Sequence, residues 1–333
     1  MTVALGLLDY VVSLAIMVSI FATLGLGLNL QWGYGGLFNI GIAGFFLLGA
    51  YTSALVTSSP PGEELAGYVT QAVALGAPFP VGVLAAAAAC GLIAWLVGLA
   101  TLKLSGDYLA ITTIGISESI RIFFRNELWL ANGHRGLIGI PGVFGDLVSA
   151  RSYNYFYLVV CGVILALMYL LQRRLTDSPW GRALRAVRDD SLSAAMSGKD
   201  TFRYRLQALV VGAMIMGVAG AMLAHFDRVL SPDVFVPLYG TFIVWVMVMT
   251  GGSGNNRGVL VGAGVIWAIW EGTRFLTDGL LPPQLGSRAP FIRFLLIGLV
   301  LLIVLIKRPR GLIPEESRVS RFARAIEERV GLR

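Results

Sequence analysis

The sequence predicts an all-α, polytopic membrane protein with about 9–10 transmembrane helices, some broken or re-entrant at glycine-rich segments. Three observations predict it. Of the 333 residues, 56% are hydrophobic and only 14% charged, against about 25% charged in a soluble domain. The apolar residues gather in runs of about 20, the length that crosses a hydrocarbon core. Those runs are continuous rather than alternating, which favours helices over a β-barrel.

From the N-terminus the runs cover roughly 8–30, 37–57, 80–102, 108–125, 153–172, 207–227, 236–250, 258–277 and 290–306, or about nine crossings. Basic residues orient them. Of the 26 Lys and Arg, 8 fall in 173–206 and 8 in 307–333. Both clusters abut the ends of apolar runs, the mark of cytoplasmic loops. Working outward from 173–206 puts 103–107, 251–257 and the tail from Lys307 inside. Segments 58–79 (with Glu63 and Glu64), 126–152, 228–235 and 278–289 then lie outside, as does the N-terminus. The expected organisation is one transmembrane domain over 1–306, a cytoplasmic loop at 173–206 and a basic cytoplasmic tail at 307–333.

Several other classes are disfavoured. A cleavable signal peptide starts with a basic segment, yet the first Lys or Arg is Lys103. The net charge of +7 sits at membrane-flanking loops, so nucleic acid is not an expected partner. Cys90 and Cys161 lie inside apolar runs and read as small core residues. The histidines, His134 and His225, are far apart in sequence, so no metal site is expected, and both read as structural or interfacial.

Two spans are unusual. "QWGYGGLFNIGIAGFFLLGAYTSAL" (31–55) holds six glycines with Asn39 among them. Broken helix at membrane depth is tolerated only against protein or a water-filled path. "LSGDYLAITTIGISESIRIFF" (104–124) sets Asp107, Thr112, Thr113, Ser117 and Glu118 in apolar company. An ionisable group there is costly, which makes Glu118 a functional candidate; an ion pair with Arg121 or Arg125 is the competing reading. Gly33, Tyr34, Gly35, Asn39, Gly41, Asp107, Thr112, Thr113 and Glu118 are the candidate pathway residues.

The block "DSPWGRALRAVRDDSLSAAMSGKD" (177–200) is polar and helix-prone. Ser178 is placed to cap a helix begun by Pro179. Asp190 is placed to cap a second short helix, 191–197, ended by Gly198. Such a block either lies on anionic headgroups or docks a cytoplasmic partner. "GGSGNNRG" (251–258) lacks the Lys-Ser/Thr ending of a phosphate-binding loop. Any ATP is therefore used by a separate subunit, and this chain needs no cofactor of its own. Gly258 and Gly262 form a small-xxx-small pair suited to close helix packing, within the chain or with a partner.

Together, "GYGGLFNIGIAGFFLLGAYTSAL", "LSGDYLAITTIGISESIRIFFRN", "GLIGIPG", "SPWGRALRAVRDD", "GVAGAML", "GGSGNNRGVLVGAG" and "KRPRGLIPE" run nearly end to end in an order that resembles the LivM-type permeases of the branched-chain amino-acid ABC importer family, which also serves urea and short amides. The resemblance implies a heterodimer with a second related permease, two cytoplasmic ABC ATPases, a periplasmic substrate-binding protein and a bacterial inner membrane. It implies that 177–200 is the ATPase-coupling loop, with Trp180, Arg182, Leu184, Arg185, Arg188, Ala194, Ala195 and Gly198 as coupling residues. The loop's Ala-Ala-(three)-Gly pattern maps onto Ser193-Ala194 through Gly198, and Leu192 stands where an acidic residue is usual. Relatives often read Gly-His-Ala where this chain has Gly41-Ile42-Ala43, which puts a polar role at 42 in doubt. The expected mechanism is alternating access by a pore half. Its rivals are a passive channel and an intramembrane enzyme built on Glu118, Glu271 and Asp107.

Overall fold

The computed structural model describes residues 2–60, 70–104, 106–143, 152–280 and 289–315. Residues 61–69, with Glu63 and Glu64, and those beyond 315 lie outside the described residues.

Every predicted run contains helix, although 37–57 is helical only from Ile42. In chain order these are α1 (Thr2–Leu28), α2 (Ile42–Thr57), α3 (Phe79–Thr101), α4 (Gly106–Asn126), α5 (Leu128–Ala131), α6 (Tyr153–Asp177), α7 (Pro179–Asp189), α8 (Ser191–Met196), α9 (Thr201–Asp227), α10 (Ile243–Gly251), α11 (Asn256–Leu280) and α12 (Ala289–Lys307). Two of them join π-helical turns: α1 runs into Asn29–Tyr34, and Leu238–Phe242 leads into α10. Among the described residues, four stretches are long and apolar enough to cross a membrane unaided: Leu8–Tyr34, Phe79–Thr101, Tyr153–Asp177 and Thr201–Asp227. Ile42–Thr57 and Leu238–Gly251 are apolar but shorter. Ile42–Thr57 is short because the chain before it runs as non-helical backbone at 36–41.

Helix α9 is the central post. It packs on α1, α2 and α3, and almost its whole second half is buried. Small residues permit this approach, since without a hydrophobic drive between helices, close backbone contact supplies the packing. A Cβ built on Gly217 would sit 2.7 Å from Cys90 Sγ and 2.8 Å from the Ala86 carbonyl, with Gly49 of α2 on its other side. The Gly258–Gly262 pair works within the chain, where it lets α11 lie against Gly251 and Met247 of α10. Both cysteines are buried and free, and Cys90 donates to the Phe45 carbonyl at 3.2 Å.

α9 begins six residues before the predicted run. Asp200 caps it by accepting from the Arg203 amide at 3.0 Å, so part of the polar block continues a membrane helix. Just past the C-terminal end of α9 a two-stranded ribbon pairs Leu137–Ile138 antiparallel with Val229–Leu230. His225 is fully enclosed there. Its Nδ1 lies 2.8 Å from the Pro141 carbonyl and its Nε2 3.1 Å from Ser53 Oγ, a structural placement.

Candidate functional site

The break after α1 is held by side chains from four other elements. Gln31 donates to the Leu209 carbonyl of α9 (2.8 Å) and accepts from Asn39 Nδ2 (2.7 Å). Asn39 Oδ1 accepts from the Gly41 amide (2.7 Å), and its backbone carbonyl accepts from Trp245 Nε1 (3.1 Å). Thr113 Oγ1 of α4 accepts from the Ile40 amide at 3.1 Å. Thr241 Oγ1 donates to the Ile40 carbonyl and accepts from the Ala43 amide, both at 3.2 Å. An unpaired buried backbone group costs about 1–3 kcal/mol, so this set is what allows irregular backbone at that depth.

That assignment changes the meaning of several predicted pathway residues. Gly33, Tyr34, Gly35, Asn39, Gly41 and Thr113 are buried, and the bonds of Asn39 and Thr113 go to the protein's own backbone. Asp107 is exposed at the start of α4, and Thr112 donates to the Tyr108 carbonyl of its own helix at 2.7 Å. Glu118 is ion-paired with Arg121, whose Nε lies 2.9 Å from Oε1. Arg121 and Arg125 also reach Asp233, at 3.3 and 3.6 Å.

The surface that opens beside the break comes from the residues between these. In the irregular stretch 37–41, Leu37, Asn39 and Gly41 are buried while Phe38 and Ile40 are half-exposed. Phe38 and Ile40 line an apolar groove of about 430 Å³ with Ile114, Phe242, Trp245 and Met249. Trp32, Phe38 and Trp245 form a mutually packed triad, centroids 4.9–5.2 Å apart. Sequence reasoning followed the polar residues and passed over this face. Leu37-Phe38-Asn39-Ile40-Gly41 carries no clean period-two pattern, so no signal for this face was present in the sequence.

In the polar block, α7 and α8 form as their caps dictate. Ser178 Oγ accepts from the Gly181 amide, Asp190 Oδ1 accepts from the amides of Leu192 (2.9 Å) and Ser193 (3.1 Å), and Gly198 turns with φ +75°. The Ser193 hydroxyl donates to Asp190 Oδ2 at 2.5 Å. These donors, the Ser193 hydroxyl first, hold the Asp190 carboxyl below its ordinary 3.8. A carboxylate whose folded pKa is depressed stabilises the fold above its unfolded value. The α8 cap should therefore persist at neutral pH and fail as pH falls through the folded value, below about 4. Limited proteolysis at 190–200 should accelerate at that pH. Asp190→Ala should show the same acceleration at neutral pH, and Asp190→Asn should not.

The outward faces of this foot differ from the expected set. Leu184 and Val187 are fully buried against the body, Trp180 is half-buried and donates to Gln207 Oε1 at 2.7 Å, and Ala194 faces inward. Arg182, Ala195 and Gly198 are exposed. The apolar side chains that project outward are Leu192 and Met196, 67% and 80% exposed, which the sequence reading did not select.

Arg185 and Arg188 also turn inward. Arg185 donates to the Thr176 carbonyl at 2.9 Å and lies over the Tyr34 ring at 5.6 Å. Arg188 donates to the Gly33 carbonyl at the end of the π turn and pairs with Glu315 (3.0 Å) and Asp189 (2.9 Å). Gly36 sits directly beneath it at φ +66°. A Cβ there would be 2.8 Å from Arg188 Cγ, so both conformation and space require glycine.

Glu315 is brought to this point by a strap. The amides of Leu312 and Ile313 donate to the carbonyls of Thr250 and Gly251, each at 2.9 Å, and Asn255 Nδ2 donates to the Pro314 carbonyl at 2.9 Å. Asn29 completes the junction by accepting from the Gly254 amide (2.8 Å) and donating to Asn256 Oδ1 (3.0 Å). The motifs "GYGG", "GGSGNN", "VRDD" and "RPRGLIPE" thus converge on one spot, and residues 308–315 belong to the body of the protein rather than to a separate tail.

A sequence profile described as "Branched-chain amino acid transport system / permease component" matches residues 10–305. The chain belongs to this family. The permease is 29% identical to the high-affinity branched-chain amino acid transport system permease protein LivM of Salmonella typhimurium, covering 91% of this chain and 70% of that one. It is 27% identical to the probable branched-chain amino acid transport permease protein LivM of Methanocaldococcus jannaschii, covering 94% and 96%. It also matches the permease protein LivH of Escherichia coli, 27% identical over 87% of this chain and 92% of that one. No solved structure matches it. The permease is therefore an all-α, multi-pass membrane protein of the branched-chain amino acid transport system family, and nothing in these likenesses indicates catalytic activity.

Proposed function

We propose that the permease forms one half of the membrane pathway of an ABC importer, passing branched-chain amino acids across a bacterial inner membrane by alternating access. A LivH-like permease would be its other half, two ABC ATPases would supply the energy, and a binding protein would deliver the cargo from outside. The observation that carries this reading is the Arg188 junction. One guanidinium ties the cytoplasmic foot to the carbonyl of the broken helix. A displacement of α7 by a nucleotide-driven partner then acts directly on the backbone at 33–36, beside the groove.

The groove suits the branched apolar side chain of such a cargo. Its walls are Phe, Ile, Trp, Leu, Val, Pro and Met side chains, with Thr241 the one hydroxyl among those lining it. An apolar side chain gains by leaving water there, whereas urea has none to bury. A passive channel would have no use for a capped, structured foot.

The test is at Leu192 and Met196. Leu192→Asp combined with Met196→Asp should abolish co-purification of the ATPase subunits and ATP-dependent leucine uptake, with the permease still monodisperse in detergent. Undiminished ATPase association and uptake would reject the docking face.

A further inference from the structure

We propose that the groove at the cytoplasmic foot of α6 binds the phosphate headgroup of an anionic phospholipid. Helix α6 carries an exposed apolar stripe, Val159, Val163, Leu167, Leu170 and Leu171. The spacing of three or four residues keeps the stripe on one face along the helix. It ends at Arg173 and Arg174. There a groove of about 450 Å³ opens, lined by Leu170, Arg173, Arg174, Asp177 and Ser178. A smaller polar cavity of about 110 Å³ adjoins it, sharing Arg173 and Asp177 and adding Arg185 and Arg257.

The chemistry suits a phosphodiester. Guanidinium groups meet phosphate oxygens with two parallel N–H donors. The only ion pair of Arg173 among the described residues is with Asp177, at a long 3.7 Å, which leaves most of its donors available. Arg174 and Arg257 have no ion pair among the described residues. The opposing charges are Asp177, in both cavities, and Glu315, which lines the smaller one but is engaged by Arg188. Four arginines face these two carboxylates, so the local excess is positive. The apolar stripe decides between a lipid and free phosphate. A soluble anion gains nothing from Leu170 and the residues above it, whereas acyl chains would lie along them from a headgroup seated at Arg173 and Arg174. Basic pockets between membrane helices on the cytoplasmic side suit such headgroups.

The experiment measures lipid retention, not transport, so it stands apart from the importer reading. The full chain, extracted with the subunits that accompany it, is exchanged into mixed phosphatidylglycerol and phosphatidylcholine micelles and examined by native mass spectrometry. Phosphatidylglycerol should be retained in preference to phosphatidylcholine. Arg173→Gln and Arg174→Gln should each lower that retention about fivefold, and Arg173→Lys, which keeps the charge but loses the fork, should fall between Arg173→Gln and the unaltered chain. An unchanged elution profile and melting temperature would exclude misfolding as the cause. Equal retention of the two lipids, or undiminished retention in the double glutamine variant, would overturn the proposal. Displacement of phosphatidylglycerol by millimolar inorganic phosphate would overturn the lipid assignment in favour of a soluble anion.

Discussion

Arg188→Gln should leave the permease folded and assembled while cutting leucine uptake per ATP hydrolysed by about tenfold, equivalent to about 1.4 kcal/mol. The residue is half-buried and serves three acceptors: the Gly33 carbonyl, Glu315 and Asp189. Hydrogen bonds to charged groups contribute about 1.5–3 kcal/mol each. A neutral amide keeps the size and forfeits the charge, so the foot still forms but its grip on the break weakens. Arg188→Lys should recover only part of the loss, since a point charge reaches one acceptor well but does not fork between them. Glu315→Gln should give a smaller defect in the same direction, and the double variant less than the sum, as expected for residues in one network. The measurement is uptake and hydrolysis side by side in proteoliposomes. An unchanged ratio in Arg188→Gln would show that the junction carries no force.

Gly217→Val should prevent a folded permease from accumulating. The added carbons would meet Cys90 Sγ and Cβ and the Ala86 carbonyl, all on α3. The carbonyl is main chain and cannot swing aside. Overpacking costs about 1–3 kcal/mol in forgiving cores and more in rigid ones, and here α9 would have to move off α3 while Gly49 of α2 packs against the Gly217 backbone from the other side. Fluorescence-detected size exclusion should show aggregate in place of a monodisperse peak. Gly115→Ala and Gly298→Ala serve as controls, because nothing lies within 4 Å of a Cβ at either position. A normal peak for Gly217→Val would refute the packing described for α9.

What was legible in the sequence was local. The caps at Ser178 and Asp190 and the turn at Gly198 follow from residue types a few positions apart, and the foot folds accordingly. The apolar runs placed the helices because hydrocarbon thickness sets their length. What escaped the sequence was direction. Asn39 and Thr113 are polar groups in greasy spans, and such a group faces either a path or orphaned backbone. Which it faces depends on Gln31, Ile40 and Trp245, brought near only by the fold. Similarly, an amphipathic foot offers more than one apolar face. Leu184 and Val187 were taken up by the body, leaving Leu192 and Met196 outward. Arg188 read as a surface charge because its acceptors, Gly33 and Glu315, lie 155 and 127 residues away.

The long reach to Glu315 also bears on biogenesis. During synthesis the foot emerges well before the strap, so Arg188 is made long before its carboxylate partner exists. Until residue 315 has left the ribosome, Arg188 has only Gly33 and Asp189 of its three acceptors, and the turn at 251–256 lacks the strap that bonds to it. The junction therefore closes only when nearly the whole described chain has been made.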